Sequence, residues 1–176
     1  MIKWVKQLPD APIDTNIYKP FIKSDWFRKH YMWFAYTLMF LLVIPVCCRL
    51  TTPMNDIRFP IRIAMILPVF LIHELLHILV AFRIGNIYLT HSGLYFWLHS
   101  DAEMSKGRFW IFMTLPFLVL SGIPLITRFF YSGALSPYIL YVGWINAIMA
   151  SSDIINSILI LFKPRNATFY RGYYKC

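Results

Sequence analysis

Residues 62–82 read RIAMILPVFLIHELLHILVAF, an apolar run interrupted after Arg62 only by His73, Glu74 and His77, all within little more than one helical turn. At ~1.5 Å per residue a helix of this length covers the ~30 Å of bilayer hydrocarbon. Such a run predicts a membrane-crossing helix. Placing a Glu in mid-span costs ~2.5–3.5 kcal/mol or more, so an ionisable residue there marks a functional position by default. A helix puts residues i and i+4 on one face. His73 and His77 can therefore reach a single Zn²⁺ at ~2.0–2.1 Å. Glu74 lies one position round, where it can act as general base toward water at the metal. The alternative is a His pair hydrogen-bonded inside a packed helix. Only five His and two Glu occur in the chain, which makes a chance match of this spacing rare.

Outward from that run the composition agrees. Of the 176 residues 59% are hydrophobic and 14% charged, against ~25% charged in a soluble domain. A single water-soluble core of this size could not hide so much apolar surface, and part of it must face lipid. The net charge of +9 would raise nucleic acid in a soluble protein. Here the basic residues flank apolar runs, which points to anionic lipid headgroups as partners, and no DNA- or RNA-reading motif is present. Cys47, Cys48 and Cys176 form no CxxC pair. The first two read as small packing residues in an apolar run, with lipidation of one as the alternative. Residues 1–30 mix Lys, Asp, Pro and Trp and lack the apolar core of a signal peptide.

The expected fold is an all-α membrane protein, one domain over 1–176. Its spans lie near 31–50, 62–82, 109–130 and 137–162, with a short strand-like loop between the second and third. Residues 1–30 read as an interfacial segment, with Ser24 capping a short helix, and 163–176 as a basic, aromatic cytoplasmic tail; both ends are expected to be anchors. With the N-terminus inside, the inner segments hold 13 Lys and Arg against 4 outside, a positive-inside bias that places both termini in the cytoplasm. The sequon at Asn166 is then silent.

A catalytic zinc site needs a third protein ligand and an open position. Asp153 is the only other carboxylate inside an expected span. It lies nine residues before the end of its span, as His73 does, and both spans run inward, so the two share a depth of ~13–14 Å. A polar residue bonding a neighbouring helix is the alternative. Asn146, Asn156 and Ser157 fall on the same helix face as Asp153. They could admit water, hold the carboxylate or bond a substrate backbone, or they could glue helices together. Asn146 is the leading candidate for a substrate or oxyanion contact. The stretch Asn86 to His99 is rich in Tyr, Phe, Trp and Thr, with a Ser-Gly break at 92–93. It reads as two short strands or one bent strand, whose edge could capture an unwound substrate, with Tyr95 as a contact; an aromatic belt is the alternative. His30, His91 and His99 read as surface or interfacial. Pro116 and Gly122-Ile123-Pro124 can bend the third span.

This combination resembles the putative zincin peptidases, small bacterial membrane proteins related at the motif level to site-2 proteases. The likeness covers roughly residues 60–165. It implies His73 and His77 as zinc ligands, Glu74 as catalytic base and Asp153 as third ligand. Two positions depart from the site-2 protease pattern, since Asn146 is not followed by Pro and Asp153 is followed by Ile154. No PDZ-like segment is present. The implied function is zinc-dependent hydrolysis of a peptide bond in a membrane-embedded or membrane-proximal protein, nearer the cytoplasmic leaflet. The rival readings are a non-catalytic adaptor with a structural or vestigial metal site, and a metal transporter. The orientation is testable: a chain retaining Cys176 as its single cysteine should react with a membrane-impermeant maleimide only after intact cells are breached. Labelling in intact cells would reverse the topology.

Overall fold

The computed structural model describes residues 2–5, 13–47, 54, 56–92 and 95–176, with residues 2, 46, 47, 91, 92 and 95–99 described by their backbone. Six α-helices dominate the described residues. They are α1 (Asp25–Cys47), α2 (Phe59–Ala81), α3 (Lys106–Phe117), α4 (Ile123–Phe130), α5 (Ser136–Met149) and α6 (Ser151–Leu161). Two stretches are long and apolar enough to cross a membrane, Phe59–Ala81 and Lys106–Phe130, and the pair α5 and α6 makes a third if counted as one bent span. Helix α1 is 23 residues long but is not among them over its described residues. Its first turns carry Asp25, Arg28 and Lys29, and Cys48 to Leu50, the expected end of this span, lie outside the described residues.

Helix α2 shows how the bundle meets lipid. Its buried residues are Val69, His73, His77 and Ala81, one every four positions along a single stripe. Leu67, Leu71, Leu75 and Leu79 run along the opposite face and are 56–63% exposed. In water that leucine stripe would be a liability; in hydrocarbon it is the natural outer surface. Pro60 falls in the first turn, where its missing N–H costs no hydrogen bond.

The third span runs from Lys106, three residues before its expected start, and is not uniform. Between α3 and α4 the chain makes a π-helical turn over Leu118–Gly122, in which the Ile123 amide donates to the Leu118 carbonyl. Pro124 follows at once and has no N–H for the carbonyl four residues back, so the wider turn accommodates it. The fourth span departs further from expectation. Instead of one helix over 137–162, α5 and α6 meet at Ala150 with a 64° bend. The Ser151 hydroxyl donates to the Ile148 carbonyl, the local competition by which a Ser-Ser-Asp run interrupts a helix. Asp153 therefore sits in the first turn after the bend rather than partway along a straight span.

The strand-like loop is a β-hairpin, β3 (Ile87–Ser92) paired antiparallel with β4 (Tyr95–Ser100); Gly93 of the expected break lies outside the described residues. The N-terminal segment adds β1 (Ile2–Trp4), parallel to β3, so the order is β1-β3-β4. A second sheet has the order β2-β7-β6-β5, from β2 (Lys19–Pro20), β5 (Met104–Ser105), β6 (Thr168–Tyr170) and β7 (Tyr173–Lys175). The ends of the chain are thus more than interfacial anchors. They supply strands to sheets at the end of the bundle where α1 and α3 begin and α2 and α6 finish. Ser24 does cap a helix, its Oγ accepting from the Phe27 amide, but that helix is α1 itself. Phe21, Ile160, Ala167, Phe169 and Tyr174 form the core beneath the second sheet. Lys163 lies over the Phe21 and Tyr174 rings and donates to the Phe21 carbonyl.

Gly143 marks a close contact between α5 and α4. A Cβ there would lie 3.0 Å from Leu125 Cγ and 3.2 Å from Pro124 Cβ. Gly143→Val should therefore push α5 off α4 and destabilise the protein by about 1–3 kcal/mol, read as a lower thermal unfolding midpoint in detergent. An unchanged midpoint would show that this contact is loose.

Candidate metal centre

The buried stripe of α2 points His73 and His77 inward at the first turn of α6, which carries Asp153. Asp153 Oδ2 stands 3.0 Å from His73 Nε2 and 3.3 Å from His77 Nε2. The two Nε2 atoms are 3.2 Å apart. All three residues of the expected ligand set are brought together, from positions up to 80 apart in the chain.

Protons decide what this cluster can hold. Asn146, at the inner face of α5, is fully buried. Its Nδ2 donates to the Pro116 carbonyl at 3.1 Å and to Ser121 Oγ at 2.8 Å. A carbonyl can only accept, so the amide orientation is settled and Asn146 Oδ1 is the atom facing His73 Nδ1 at 2.8 Å. His73 therefore donates from Nδ1. His77 Nδ1 lies 2.7 Å from the Phe112 carbonyl and must donate as well. With both Nδ1 protons so placed, the neutral imidazoles turn unprotonated Nε2 atoms toward each other and toward the carboxylate. Three electron-pair donors at these separations repel unless a metal ion or a shared proton lies among them. Ligands at ~2.0–2.1 Å from a tetrahedral zinc stand about 3.3 Å apart, close to the observed 3.0, 3.2 and 3.3 Å. The donor set fits the metal.

The Phe112 carbonyl is available for a specific reason. In an α-helix it would accept from the amide of residue 116, which is Pro116 and has none. The proline read in sequence only as a bend frees the acceptor that orients His77. One turn on, the carbonyl of Pro116 itself anchors Asn146, and the π-helical turn supplies Ser121. These orienting groups were missed in the sequence because main-chain acceptors leave no signature of their own. The single available clue was a proline four residues after Phe112.

Not every expected site residue is at the site's open side. Asn146, expected to contact substrate, has its amide committed to Pro116, Ser121 and His73 and faces no open space. Asn156 and Ser157 also part company with it, because the bend at Ala150 breaks the shared face. Ser157 Oγ pairs with Thr114 Oγ1 at 3.1 Å, and Asn156 Oδ1 accepts from Tyr31 at 2.9 Å. His30 Nδ1 donates to the Trp26 carbonyl within α1, away from the cluster. Tyr95 lies in β4 opposite Ser92, and its side chain, like those of His91 and His99, is outside the described residues.

Glu74 is half-buried and forms no hydrogen bond or ion pair with any described residue. It lines a cleft of about 600 Å³ that also reaches His73, His77 and Asp153. One wall is α1, through Tyr31, Met32, Ala35 and Met39, and the other is α2, through Leu67 and Phe70. A carboxylate in this position can take a proton from a molecule held at the cluster. The orienting role of Asn146 has a direct test. Asn146→Ala leaves the Ser121 hydroxyl and His73 Nδ1 without their buried partner, and should cost about 1–3 kcal/mol. Chemical or thermal unfolding in detergent measures it, and no loss would mean these bonds are replaced by water.

Comparison with known proteins places this geometry in context. The model of a family described as "Putative zincin peptidase" matches residues 66–168, a segment running from within α2 to β6 that contains the whole cluster. No curated protein and no solved structure gives a match. With more than half of the sequence matched, the chain belongs to the putative zincin peptidase family.

Proposed function

We propose that the protein is an intramembrane zinc metalloprotease that cleaves a peptide bond in a membrane-embedded or membrane-proximal protein. The observation that carries this reading is the convergence of His73 Nε2, His77 Nε2 and Asp153 Oδ2 with their protons directed elsewhere. These three side chains would hold the zinc. Bound there, the ion supplies Lewis-acid polarisation of the scissile carbonyl and acidifies water.

The rest is the work of this chain's own residues. Asn146 and the Phe112 carbonyl keep both imidazoles in the ligating tautomer. Glu74 takes the proton of the attacking water and delivers it to the leaving amine. The cleft between α1 and α2 gives the substrate segment access from the lipid side. A transmembrane helix has its amides bonded internally, so the segment must unwind before it can be cut. Strand β4 lies at the edge of its sheet, and pairing along that edge would hold an extended substrate. Tyr95 would contribute there. Membrane lipids surround the bundle, with the basic residues of the β-strand end facing anionic headgroups of the cytoplasmic leaflet.

Metal analysis and proteolysis together test the reading. Purified wild type should hold about one zinc per chain, and both Asp153→Ala and the His73/His77 double alanine variant should lose it. Glu74→Gln should keep its zinc yet cleave more slowly by a factor of ~10²–10⁴ or greater. Wild-type cleavage by Glu74→Gln would sink the mechanism. Zinc retained in Asp153→Ala would require another third ligand.

A further inference from the structure

The proposed chemistry leaves one polar requirement unmet. With Asn146 sealed behind His73, a substrate carbonyl in the cleft needs another hydrogen-bond donor. In a site walled from water by lipid, an unpaired peptide carbonyl is costly.

Asn156 has the required properties. It lies one turn beyond Asp153 on α6, so the two side chains share a face, and it lines the same cleft. Its Oδ1 accepts from the Tyr31 hydroxyl at 2.9 Å, and that hydroxyl also lies 3.1 Å from the carbonyl of Ser152. Tyr31 comes from α1, which packs against α6, and with its hydroxyl proton on Oδ1 the amide nitrogen is directed the other way. The only partner of Nδ2 among the described residues is Met113 Sδ, at 3.9 Å. A thioether is a weak acceptor, so a half-buried amide with two N–H groups is left nearly unspent beside the metal cluster. Of the two hydroxyls in this turn, Ser151 Oγ donates within its own chain segment to Ile148, while Ser152 also lines the cleft and brings one O–H against the two N–H groups of Asn156.

We propose that Asn156 is the substrate-backbone donor of this site: its Nδ2–H binds a carbonyl oxygen of the peptide flanking the scissile bond, and Tyr31 is the positioning residue that sets the amide for it. Met113 is the displaced partner, which a carbonyl replaces at little cost. The inference deepens the proteolytic reading and rests on it.

Two zinc-binding probes separate the roles. Acetohydroxamic acid engages metal alone; a hydrophobic dipeptidyl hydroxamate adds backbone carbonyls. Both are titrated into detergent-purified wild type, Asn156→Leu and Tyr31→Phe, with zinc content measured in parallel. Asn156→Leu should keep one zinc per chain and wild-type affinity for acetohydroxamic acid. Its affinity for the dipeptidyl hydroxamate should fall by roughly 5–100-fold, the range expected for one lost hydrogen bond in a desolvated site. Tyr31→Phe should show the same selective loss, smaller in size, because the amide remains but is no longer held. Equal affinity of Asn156→Leu and wild type for the dipeptidyl probe overturns the assignment, and so does loss of zinc from Asn156→Leu, which would make it a support of the ligands. A wild type that binds neither zinc nor acetohydroxamic acid overturns the proteolytic reading, and this inference with it.

Discussion

Two Nδ1 protons organise this protein. Each imidazole of the His73/His77 pair can turn a bare Nε2 inward only if its other nitrogen has somewhere buried to donate, and the bundle supplies one acceptor for each. His77 uses the Phe112 carbonyl, unbonded within its helix because Pro116 has no amide hydrogen. His73 uses Asn146, whose own orientation is imposed by the Pro116 carbonyl and Ser121. Both supports thus converge on the segment from Phe112 to Ser121, where an α-helix gives way to a π-helical turn. Irregular backbone at membrane depth is expensive unless its released groups are satisfied by protein. Here the released groups and the histidine protons satisfy each other.

The same helix ties the site's two halves together at its other end. Arg108 Nε donates to the Val80 carbonyl near the end of α2, and Lys106 Nζ donates to the Leu161 and Lys163 carbonyls at the end of α6. Cations at helix C-termini meet unpaired carbonyls and the negative end of the helix dipole. The helices carrying the histidines and the aspartate are therefore both fastened to the start of α3, while its far end orients the rings. Around this polar axis the outer surface is leucine facing lipid. The sheets made from both ends of the chain close the bundle at the end where α1 and α3 begin.

Much of this was legible in the residues. The HELLH turn inside an apolar run announced both a membrane and a metal, since each makes the other's residues improbable by accident. Asp153 stood out because no other carboxylate lies in an apolar stretch after the motif. The hairpin showed itself in aromatic and Thr content with a Ser-Gly break. What misled was the assumption of straight spans. It put Asn146, Asn156 and Asp153 on one face, whereas the bend at Ala150 sends Asn146 behind His73 and leaves Asn156 in the cleft. The terminal segments were underestimated because strands of two or three residues carry no periodic signal.

Residue identity alone sets the chemistry on offer: which side chains can ligate, which can move a proton, and which surfaces must face lipid. Those follow from residue type and from helix periodicity, which act over a few positions. The tertiary structure alone decided where each proton goes and which asparagine meets open space. Such choices depend on main-chain carbonyls and on the angle between packed helices, and neither is written at any single position. A proline that frees a carbonyl has consequences only once another helix brings a histidine within 2.7 Å of it.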